Sequence, residues 1–353
     1  MAAQRVCVVA PRVPFLRGGA ELLDEQLAAA LAGEGYEVET ITIPYVWSPT
    51  RLALQQALAW RLLNLTAEAL GKGVKVDLVI ATKFPSYLVR HPNKVVWTIH
   101  QQRELYDLHG SEFGPLSISE EDRSLRQAII DIDQQALSES RALFSISENI
   151  SRRLWQYSGF KAQTLYPPPK LYDALRSGPY DDYLLYIGRL DPLKRIDLTL
   201  RALRATESPV RLLIAGRGPH RAELERLATD LGLSDRVQFL GYVSDDDVVG
   251  LYAGCFAVIL TPLDEDYGFT TLESFLAGKP VVTTSDAGGV LEFVEDGACG
   301  FVVAPEAEII AERIDTLYRD RALCETLGME GRARVRQRVS WKTVIKALTG
   351  TLE

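Results

Sequence analysis

Glu265 and Glu273 stand eight positions apart in the segment EDYGFTTLES. Carboxylates accept hydrogen bonds from hydroxyl groups, and Gly268 between them lets the backbone come close to a ligand. The segment reads as a loop and then a helix start, so the amides of Gly268, Phe269 and Thr270 would lie at its positive end, where they could donate to phosphate or sugar oxygens. This pattern favours a ligand with hydroxyls and phosphates over its simpler interpretation, a solvated acidic helix face.

A second set of candidate residues is basic and follows a strand-like run. In YIGRLDPLKRID, Arg189 and Lys194 stand five positions apart in a loop that contains a proline, and Gly188 allows a tight turn. Arginine can hold phosphate oxygens with two hydrogen bonds, and lysine acts as a point charge. We therefore expect these cations to neutralise a diphosphate; the alternative is two solvated surface cations.

Two glycine-containing loops could bind anions through backbone amides. Gly216 and Gly218 lie between a strand and a helix in IAGRGPH, and Gly18 and Gly19 precede a helix in VAPRVPFLRGGAELL. Amides at a helix N-terminus form a ready anion site. The first pattern is weak alone because the third glycine of the dinucleotide-binding fingerprint is missing. A plain turn and an ordinary loop are the respective alternatives.

Four further residues complete the candidate set. The backbone near Val243, in FLGYVSDDDVV, would lie beside a nucleotide base, and the aspartates after it read as a solvated helix start because no histidine or cysteine accompanies them. His100 ends the strand-like run KVVWTIH, where the alternative to a functional role is a structural hydrogen bond. Gln101 and Arg103 follow it as candidates for an acceptor site.

The elements that would position these residues alternate between strand and helix. Buried strand-like runs include RVCVVAP, VDLVIAT, KVVWTIH and ALFSIS in the N-terminal half, and DYLLYIG, VRLLIAG, RVQFLGYV and CFAVILTP in the C-terminal half. Between the second strand, which ends in ETITI, and the run VDLVIAT, residues 48–73 predict one amphipathic helix. Alternation of this kind predicts doubly wound α/β domains, in which ligands bind outside the carboxyl ends of the strands.

Three consecutive prolines in LYPPPKLYD mark the domain boundary, since they continue neither a helix nor a central strand. We predict a Rossmann-like domain over residues 1–168 and a second over residues 169–335. Residues 336–353 are expected to form a terminal helix that packs back across the junction.

Composition narrows the class of protein. The chain has 353 residues and a net charge of −8, which disfavours a nucleic-acid partner. Four scattered cysteines without a C-x-x-C pair fit a reduced, cytoplasmic compartment. The apolar runs are too short for a leader or a spanning helix. The amphipathic segment around residues 52–65 could lie on the inner face of a membrane, although packing on the first sheet is favoured.

These motifs together resemble the retaining glycosyltransferases of family four, which have the GT-B architecture of two tandem Rossmann-like domains facing a central cleft. The resemblance covers nearly the whole chain: RGGAE, the strand-end histidine, SISENISRRL, GRLDPLKRID, IAGRGP and EDYGFTTLESFLAGKPVVTTSDAGG. The glutamate pair separated by seven residues is its most specific part. The DYG sequence, where many members have Gly-Phe-Gly, weakens any inference about the bound sugar.

The resemblance implies roles for the C-terminal candidates. Arg189 and Lys194 would neutralise the donor diphosphate. Glu273 would bind the ribose hydroxyls, and Glu265 would lie at the donor sugar, beside the amides that follow it. Families of this type need no metal, so neither a metal nor another cofactor is expected, and the cations must carry the charge of the leaving group.

In the N-terminal domain the resemblance implies that Gly19 approaches the diphosphate and that His100 contacts the donor sugar. The expected partners are a nucleotide diphosphate sugar, with UDP favoured over GDP, and a glycan, lipid-linked or small-molecule acceptor. Three alternatives remain: a sugar-nucleotide epimerase, a phosphorylase, or a binding module without catalysis.

Overall fold

A computed structural model of the chain describes residues 3–15, 18–46, 50–66, 70–71, 74–111, 113 and 120–352. The chain forms two compact units. The first unit comprises Met1–Lys170 together with Ser340–Glu353, and the second unit comprises Leu171–Val339. The C-terminal segment is held in the first unit by Trp341, whose ring meets Trp97 edge to face at 6.2 Å between centroids.

Each unit contains a six-stranded parallel sheet. The strands of the first unit are β1 (Arg5–Arg12), β2 (Glu37–Pro44), β3 (Leu78–Lys83), β4 (Lys94–His100), β5 (Ala142–Ser145) and β6 (Gln163–Thr164). Those of the second unit are β7 (Tyr183–Ile187), β8 (Arg211–Ala215), β9 (Val237–Gly241), β10 (Ala257–Leu260), β11 (Val281–Thr284) and β12 (Gly300–Val303).

Helices connect these strands. In the first unit they are α1 (Gly19–Gly33), α2 (Thr50–Leu62), α3 (Glu120–Ser138) and α4 (Glu148–Ser158). The second unit contains α5 (Ile196–Ala205), α6 (Arg221–Asp230), α7 (Asp245–Gly254), α8 (Phe269–Leu276), α9 (Ala307–Arg319) and α10 (Arg321–Arg338). Helix α11 (Trp341–Thr349) returns to the first unit.

Strand order confirms the predicted doubly wound α/β class. The first sheet has the order β2-β1-β3-β4-β5-β6, and the second has the order β12-β11-β10-β7-β8-β9. Strand order reverses between β1 and β3 in the first sheet and between β7 and β10 in the second. These switch points are where open parallel sheets bind ligands, outside the carboxyl ends of the strands.

Central strands are apolar because helices cover both faces of each sheet. Strand β3 is buried at every position, and so are β10 and β11. The four cysteines are buried as free thiols in these interiors. Polar groups therefore concentrate at the strand ends, where the candidate residues lie.

The long amphipathic helix predicted over residues 48–73 is wrong as one continuous helix, because α2 ends at Leu62. Asn64 instead forms a β-bridge with Arg90, and the Leu65 amide donates to the Arg90 carbonyl at 3.1 Å. Residues 48–49, 67–69 and 72–73 lie outside the described part of the chain. The buried face of α2 carries Trp60, which is fully covered.

In the described part of the chain, every helix falls short of the length or the hydropathy that a membrane crossing requires.

Candidate functional site

The switch point of the second sheet brings together the loops that follow β7 and β10. Lys194 ends a short 3₁₀ turn, Pro192–Lys194, and its Nζ forms an ion pair with Oε2 of Glu265. Their side chains remain 26% and 23% exposed. Burial lowers the pKa of Lys194, but attraction to Glu265 outweighs it and leaves the pKa above its ordinary value. Lys194 is therefore charged at neutral pH, and the pair is accessible to a ligand.

Arg195, the next residue, holds the two loops together. Its Nε donates to the Thr261 carbonyl at 2.8 Å, and its two terminal nitrogens meet the Asp286 carboxylate at 2.7 and 2.6 Å. The backbone of Arg195 is left-handed, with φ of 46°. This arginine thus fastens the β7 loop to the ends of β10 and β11, a role that sequence reasoning did not assign to it.

The backbone around Glu265 is fixed by a neighbouring loop. Its amide donates to the Ala287 carbonyl at 3.1 Å, and its carbonyl accepts from the Gly289 amide at 2.7 Å. Gly288 leaves room for this pairing, because a Cβ there would lie 2.7 Å from the Glu265 nitrogen. The carboxylate is consequently presented from a rigid loop.

Helix α8 begins where the sequence places its start. Gly268 caps it with φ of 83°, a conformation that favours glycine, and a Cβ there would lie 2.7 Å from Cγ2 of Val290. Phe269 packs edge to face on Tyr267 at 4.9 Å between centroids, and the Thr270 hydroxyl donates to the Ile187 carbonyl at 3.1 Å. The helix N-terminus is therefore anchored to the end of β7.

Glu273 lies in the second turn of α8. Its Oε2 accepts a hydrogen bond from the Tyr252 hydroxyl at 2.7 Å. Burial raises the pKa of the Glu273 carboxyl to about 7. The hydrogen bond from Tyr252 lowers this pKa, and the charge of Asp245 raises it. Tyr252 is a supporting residue that sequence reasoning missed, since nothing in the local pattern of α7 links it to α8.

The glycines after β7 and β8 serve close packing between two loops. A Cβ at Gly216 would lie 1.8 Å from the Gly188 carbonyl oxygen, and one at Gly218 would lie 2.1 Å from the Leu190 carbonyl oxygen. The Gly188 amide donates to the Ala215 carbonyl at 3.0 Å, and the Gly216 amide donates to the Gly241 carbonyl at 2.7 Å. The Gly216 amide, one of the two that the sequence offers to an anion, is thus used within the unit.

The remaining candidates of the second unit lie at its surface. The Arg189 side chain is 65% exposed, and its Nε lies 3.8 Å from Oδ2 of Asp191. Val243 follows β9 and is half-buried. Beside it, Tyr242 is 71% exposed, with the Arg217 guanidinium 5.5 Å from its ring centroid. This aromatic surface lies beside the residue that the sequence suggests for base binding.

At the switch point of the first sheet, the glycine loop is tied to β3. The Gly18 amide donates to Oε2 of Glu21 at 2.9 Å, and Oε1 of Glu21 pairs with Lys83 Nζ at 2.8 Å. Lys83 is only 3% exposed at the side chain. Helix α1 begins at Gly19 as expected. The Gly18 amide, which the sequence analysis offered to an anion, therefore already donates to a carboxylate of the chain.

Residues 100–103 lie near the end of β4. His100 is half-buried, and its Nδ1 is 3.1 Å from the Gln101 carbonyl. Gln101 is 3% exposed and donates to the Ser158 hydroxyl at 3.3 Å, so its amide points into the unit. Arg103 Nε donates to Asp107 at 2.7 Å. Both acceptor-side candidates are thus engaged by neighbouring side chains.

Among the residues that the structure describes, no group of three or more His, Cys, Asp and Glu side chains is arranged to hold a metal ion.

Two six-stranded doubly wound units of this kind define the GT-B fold, and solved structures share it. Anabaena HepE in complex with UDP and glucose superposes with a TM-score of 0.71 at 20% identity, over 98% of this chain and 99% of that one. Sucrose-phosphate synthase from Thermosynechococcus elongatus gives a TM-score of 0.76 at 19% identity, over 99% and 98% of the two chains.

Residues 173–334 match the family model of the glycosyl transferases group 1. Human alpha-1,3/1,6-mannosyltransferase ALG2 is 31% identical over 189 residues, which cover 49% of this chain and 45% of that protein. The D-inositol 3-phosphate glycosyltransferase of Mycolicibacterium smegmatis is 35% identical over 175 residues, covering 46% and 38%. The chain thus spans less than half the length of these curated relatives.

Proposed function

We propose that this protein is a retaining, metal-independent glycosyltransferase. It would move a sugar from a nucleotide diphosphate sugar, with UDP favoured and GDP next, to a hydroxyl of a glycan, a lipid-linked or a small-molecule acceptor. The observation that carries the proposal is the accessible Lys194–Glu265 pair at the switch point of the second sheet.

Donor binding follows from the chemistry of that site. The Lys194 ammonium and the Arg189 guanidinium offer charge to a diphosphate, and the N-terminus of α8 adds its dipole. Glu265 would accept hydrogen bonds from donor-sugar hydroxyls and Glu273 from the ribose. Glu273 is suited to this because Tyr252 fixes one of its oxygens in place.

The transfer step would use the donor's own phosphate as the base. The bond between the anomeric carbon and the diphosphate oxygen breaks, and the acceptor oxygen attacks that carbon from the same face. The acceptor proton passes to the departing phosphate oxygen. The chain then contributes mainly electrostatic stabilisation of the leaving diphosphate, for which Lys194 is already charged and held.

The first unit is proposed to supply the acceptor side and His100 to help position the donor sugar. The contacts of Gln101 and Arg103 suggest that these residues support the loop after β4 and do not touch the acceptor directly. Peripheral attachment to a membrane belongs to this proposal only if the acceptor is lipid-linked, and flotation with anionic liposomes would reveal it.

A panel of nucleotide sugars tests the proposal. We expect UDP-glucose or UDP-N-acetylglucosamine to raise Tm more than GDP-mannose or ADP-glucose, since a ligand that binds only the folded state stabilises it. Transfer with a bound donor should persist in EDTA.

The proposal fails if no nucleotide sugar changes Tm. Metal independence fails if EDTA abolishes transfer. Epimerised donor without transfer would favour an epimerase, and binding without any turnover would favour a binding module.

A further inference from the structure

Helix α4 and strand β6 of the first unit border a shallow, open cavity of about 480 Å³. Residues of both elements line it: Glu148, Ser151, Arg152 and Trp155 on the helix, with Lys161 and Thr164 on the strand side. None of these residues belongs to the proposed donor site, which lies in the second unit. The cavity is therefore a separate feature that the proposed function leaves unexplained.

Local packing builds this cavity. Positions 148, 151, 152 and 155 share one face of α4, because residues three and four apart on a helix are neighbours. The Ser151 hydroxyl donates to the Ala162 carbonyl at 2.7 Å and ties the helix to the segment before β6. Strand β6 is the edge strand of its sheet, so the cavity opens at the side of the unit.

Trp155 gives the cavity an aromatic wall. The residue is 55% exposed, although the Lys161 ammonium lies 5.3 Å from its ring centroid. An exposed indole in a concave site suits a ligand with an apolar face and polar edges, because it offers a large flat surface at little entropic cost. The C–H face of a pyranose ring has that character.

Two cations flank the indole. Arg152 and Lys161 are both exposed, in a chain whose net charge is −8. The Arg152 guanidinium donates to the Asn149 side chain, which holds it on the helix face. Glu148 accepts from the Tyr166 hydroxyl at 3.2 Å at the other end of the cavity. Cations beside an aromatic ring favour a carboxylate or phosphate on the sugar.

The position of the cavity connects it to the carboxyl edge of the first sheet. Helix α4 begins at Glu148, directly after β5, and its N-cap Ser147 accepts from the Ile150 amide at 3.1 Å. Strand β4, which ends at His100, is the neighbour of β5. The cavity therefore runs along α4 away from the edge where ligands of parallel sheets bind.

We infer that this α4–β6 cavity binds an acidic sugar unit, a pyranose that carries a carboxylate or a phosphate, as a subsite for a glycan. Trp155 would stack on the ring, Arg152 and Lys161 would pair with the anionic group, and Glu148 would accept hydroxyl hydrogens. The choice of a glycan rests on the proposed function, but the binding itself requires no donor.

Fluorine NMR of the full chain labelled with 5-fluorotryptophan tests the inference. The probes are hyaluronan tetrasaccharide for a carboxylate, mannose 6-phosphate for a phosphate, and chitotetraose as a neutral match. The Trp155 resonance is assigned from its loss in Trp155→Phe. We expect at least one acidic probe to shift this resonance with a lower Kd than chitotetraose.

Substitutions then locate the binding. Trp155→Ala should weaken the acidic probe about tenfold, because the sugar ring would lose its aromatic stacking surface. Because Trp155→Ala removes the reporter resonance, its Kd is measured by calorimetry. Arg152→Ala and Lys161→Ala should each weaken the probe roughly three- to fivefold, as exposed charge pairs do. Lys75→Ala, which removes another exposed lysine of the same unit, should leave Kd unchanged.

The inference is overturned if no probe shifts the Trp155 resonance, if chitotetraose binds as tightly as the acidic probes, or if the two cation variants match wild type. Thermal shifts with UDP-sugars, measured on the same Trp155→Ala sample, report on the second unit separately. Retained donor stabilisation with lost glycan binding supports both conclusions. Glycan binding without any response to nucleotide sugars would leave the subsite standing and would contradict the proposed donor site.

Discussion

Both units carry a lysine–glutamate pair at the switch point of the sheet, and the two pairs differ in the exposure of the lysine. In the first, Lys83 at the end of β3 pairs with Glu21 of α1, and the side chains are 3% and 17% exposed. In the second, Lys194 after β7 pairs with Glu265 after β10, at 26% and 23%. Each pair joins residues at or after the carboxyl ends of the two strands that flank a switch point. Lys83 is thus enclosed by its own unit, whereas Lys194 can reach a ligand.

Arg195 explains why the second pair can remain open. Its bonds to Thr261 and Asp286 already fasten the β7 loop to the neighbouring strand ends. In the first unit the pair itself ties the glycine loop to β3, since Glu21 accepts hydrogen bonds from both Lys83 and the Gly18 amide. A shared topology therefore does not give both switch points an accessible lysine. Substitutions in each pair can test the two switch points separately.

Lys83→Ala should have the largest effect, and the effect should be on folding. Removing one partner of a buried pair leaves an uncompensated charge, at a cost of about 3–5 kcal/mol in the free energy of unfolding. Urea denaturation followed by circular dichroism measures it. Arg211→Ala, which breaks an exposed pair with Asp182, is the matched control and should cost less than about 1 kcal/mol. Equal losses for the two variants would show that the first pair is not structurally special.

Lys194→Ala should instead lower transfer. The lost charge-assisted contact is worth roughly 1.5–3 kcal/mol, which corresponds to a decrease in kcat of about tenfold or more. Stability should change by less than about 1 kcal/mol because the pair is part-exposed. Steady-state kinetics with the preferred nucleotide sugar provide the measurement. Unchanged kinetics in Lys194→Ala would show that Lys194 does not take part in catalysis.

Donor affinity should depend on pH through Glu273. Burial raises the pKa of this carboxyl to about 7, so the carboxylate predominates above that pH and the neutral acid below it. Because the anion is the better hydrogen-bond acceptor, Kd at pH 6 should exceed Kd at pH 8 by about tenfold. Glu273→Gln should flatten the profile. A wild-type Kd that is constant between these pH values would rule out the titration of Glu273 as a factor.

Tyr252→Phe should produce the smallest change. The Tyr252 hydroxyl stabilises the Glu273 carboxylate and lowers its pKa, so its loss should move the midpoint of the pH profile upward. Donor binding at pH 8 should weaken by roughly 0.5–1.5 kcal/mol. Tyr180→Phe, which removes a bond to the Gly278 carbonyl, is the control for a lost tyrosine hydroxyl in the same unit. An unmoved midpoint would show that Tyr252 does not tune Glu273.

The sequence predicted the strands and the loops after them, because buried parallel strands are continuous apolar runs and polar residues gather at their carboxyl ends. It therefore found Lys194, Glu265 and the start of α8. It could not pair Lys194 with Glu265, since they are 71 positions apart in the chain. The assigned ligand roles of these residues stay predictions.

Residues that act through distant contacts were missed for the same reason. Arg195 meets Asp286 across 91 positions, and Lys83 meets Glu21 across 62. The amphipathic pattern of residues 48–73 misled because it continues past Leu62, whereas the chain leaves the helix to pair Asn64 with Arg90. Local periodicity carries no information about that long-range pairing.

Calorimetric titration of UDP into wild type and Lys194→Ala tests most directly whether the open pair of the second unit is the diphosphate site. UDP isolates the nucleotide diphosphate from the sugar and the acceptor, and it requires no turnover. We predict that Kd rises by about tenfold or more in Lys194→Ala, as expected for one lost charge-assisted contact. Unchanged UDP affinity in a folded Lys194→Ala protein would contradict the assignment.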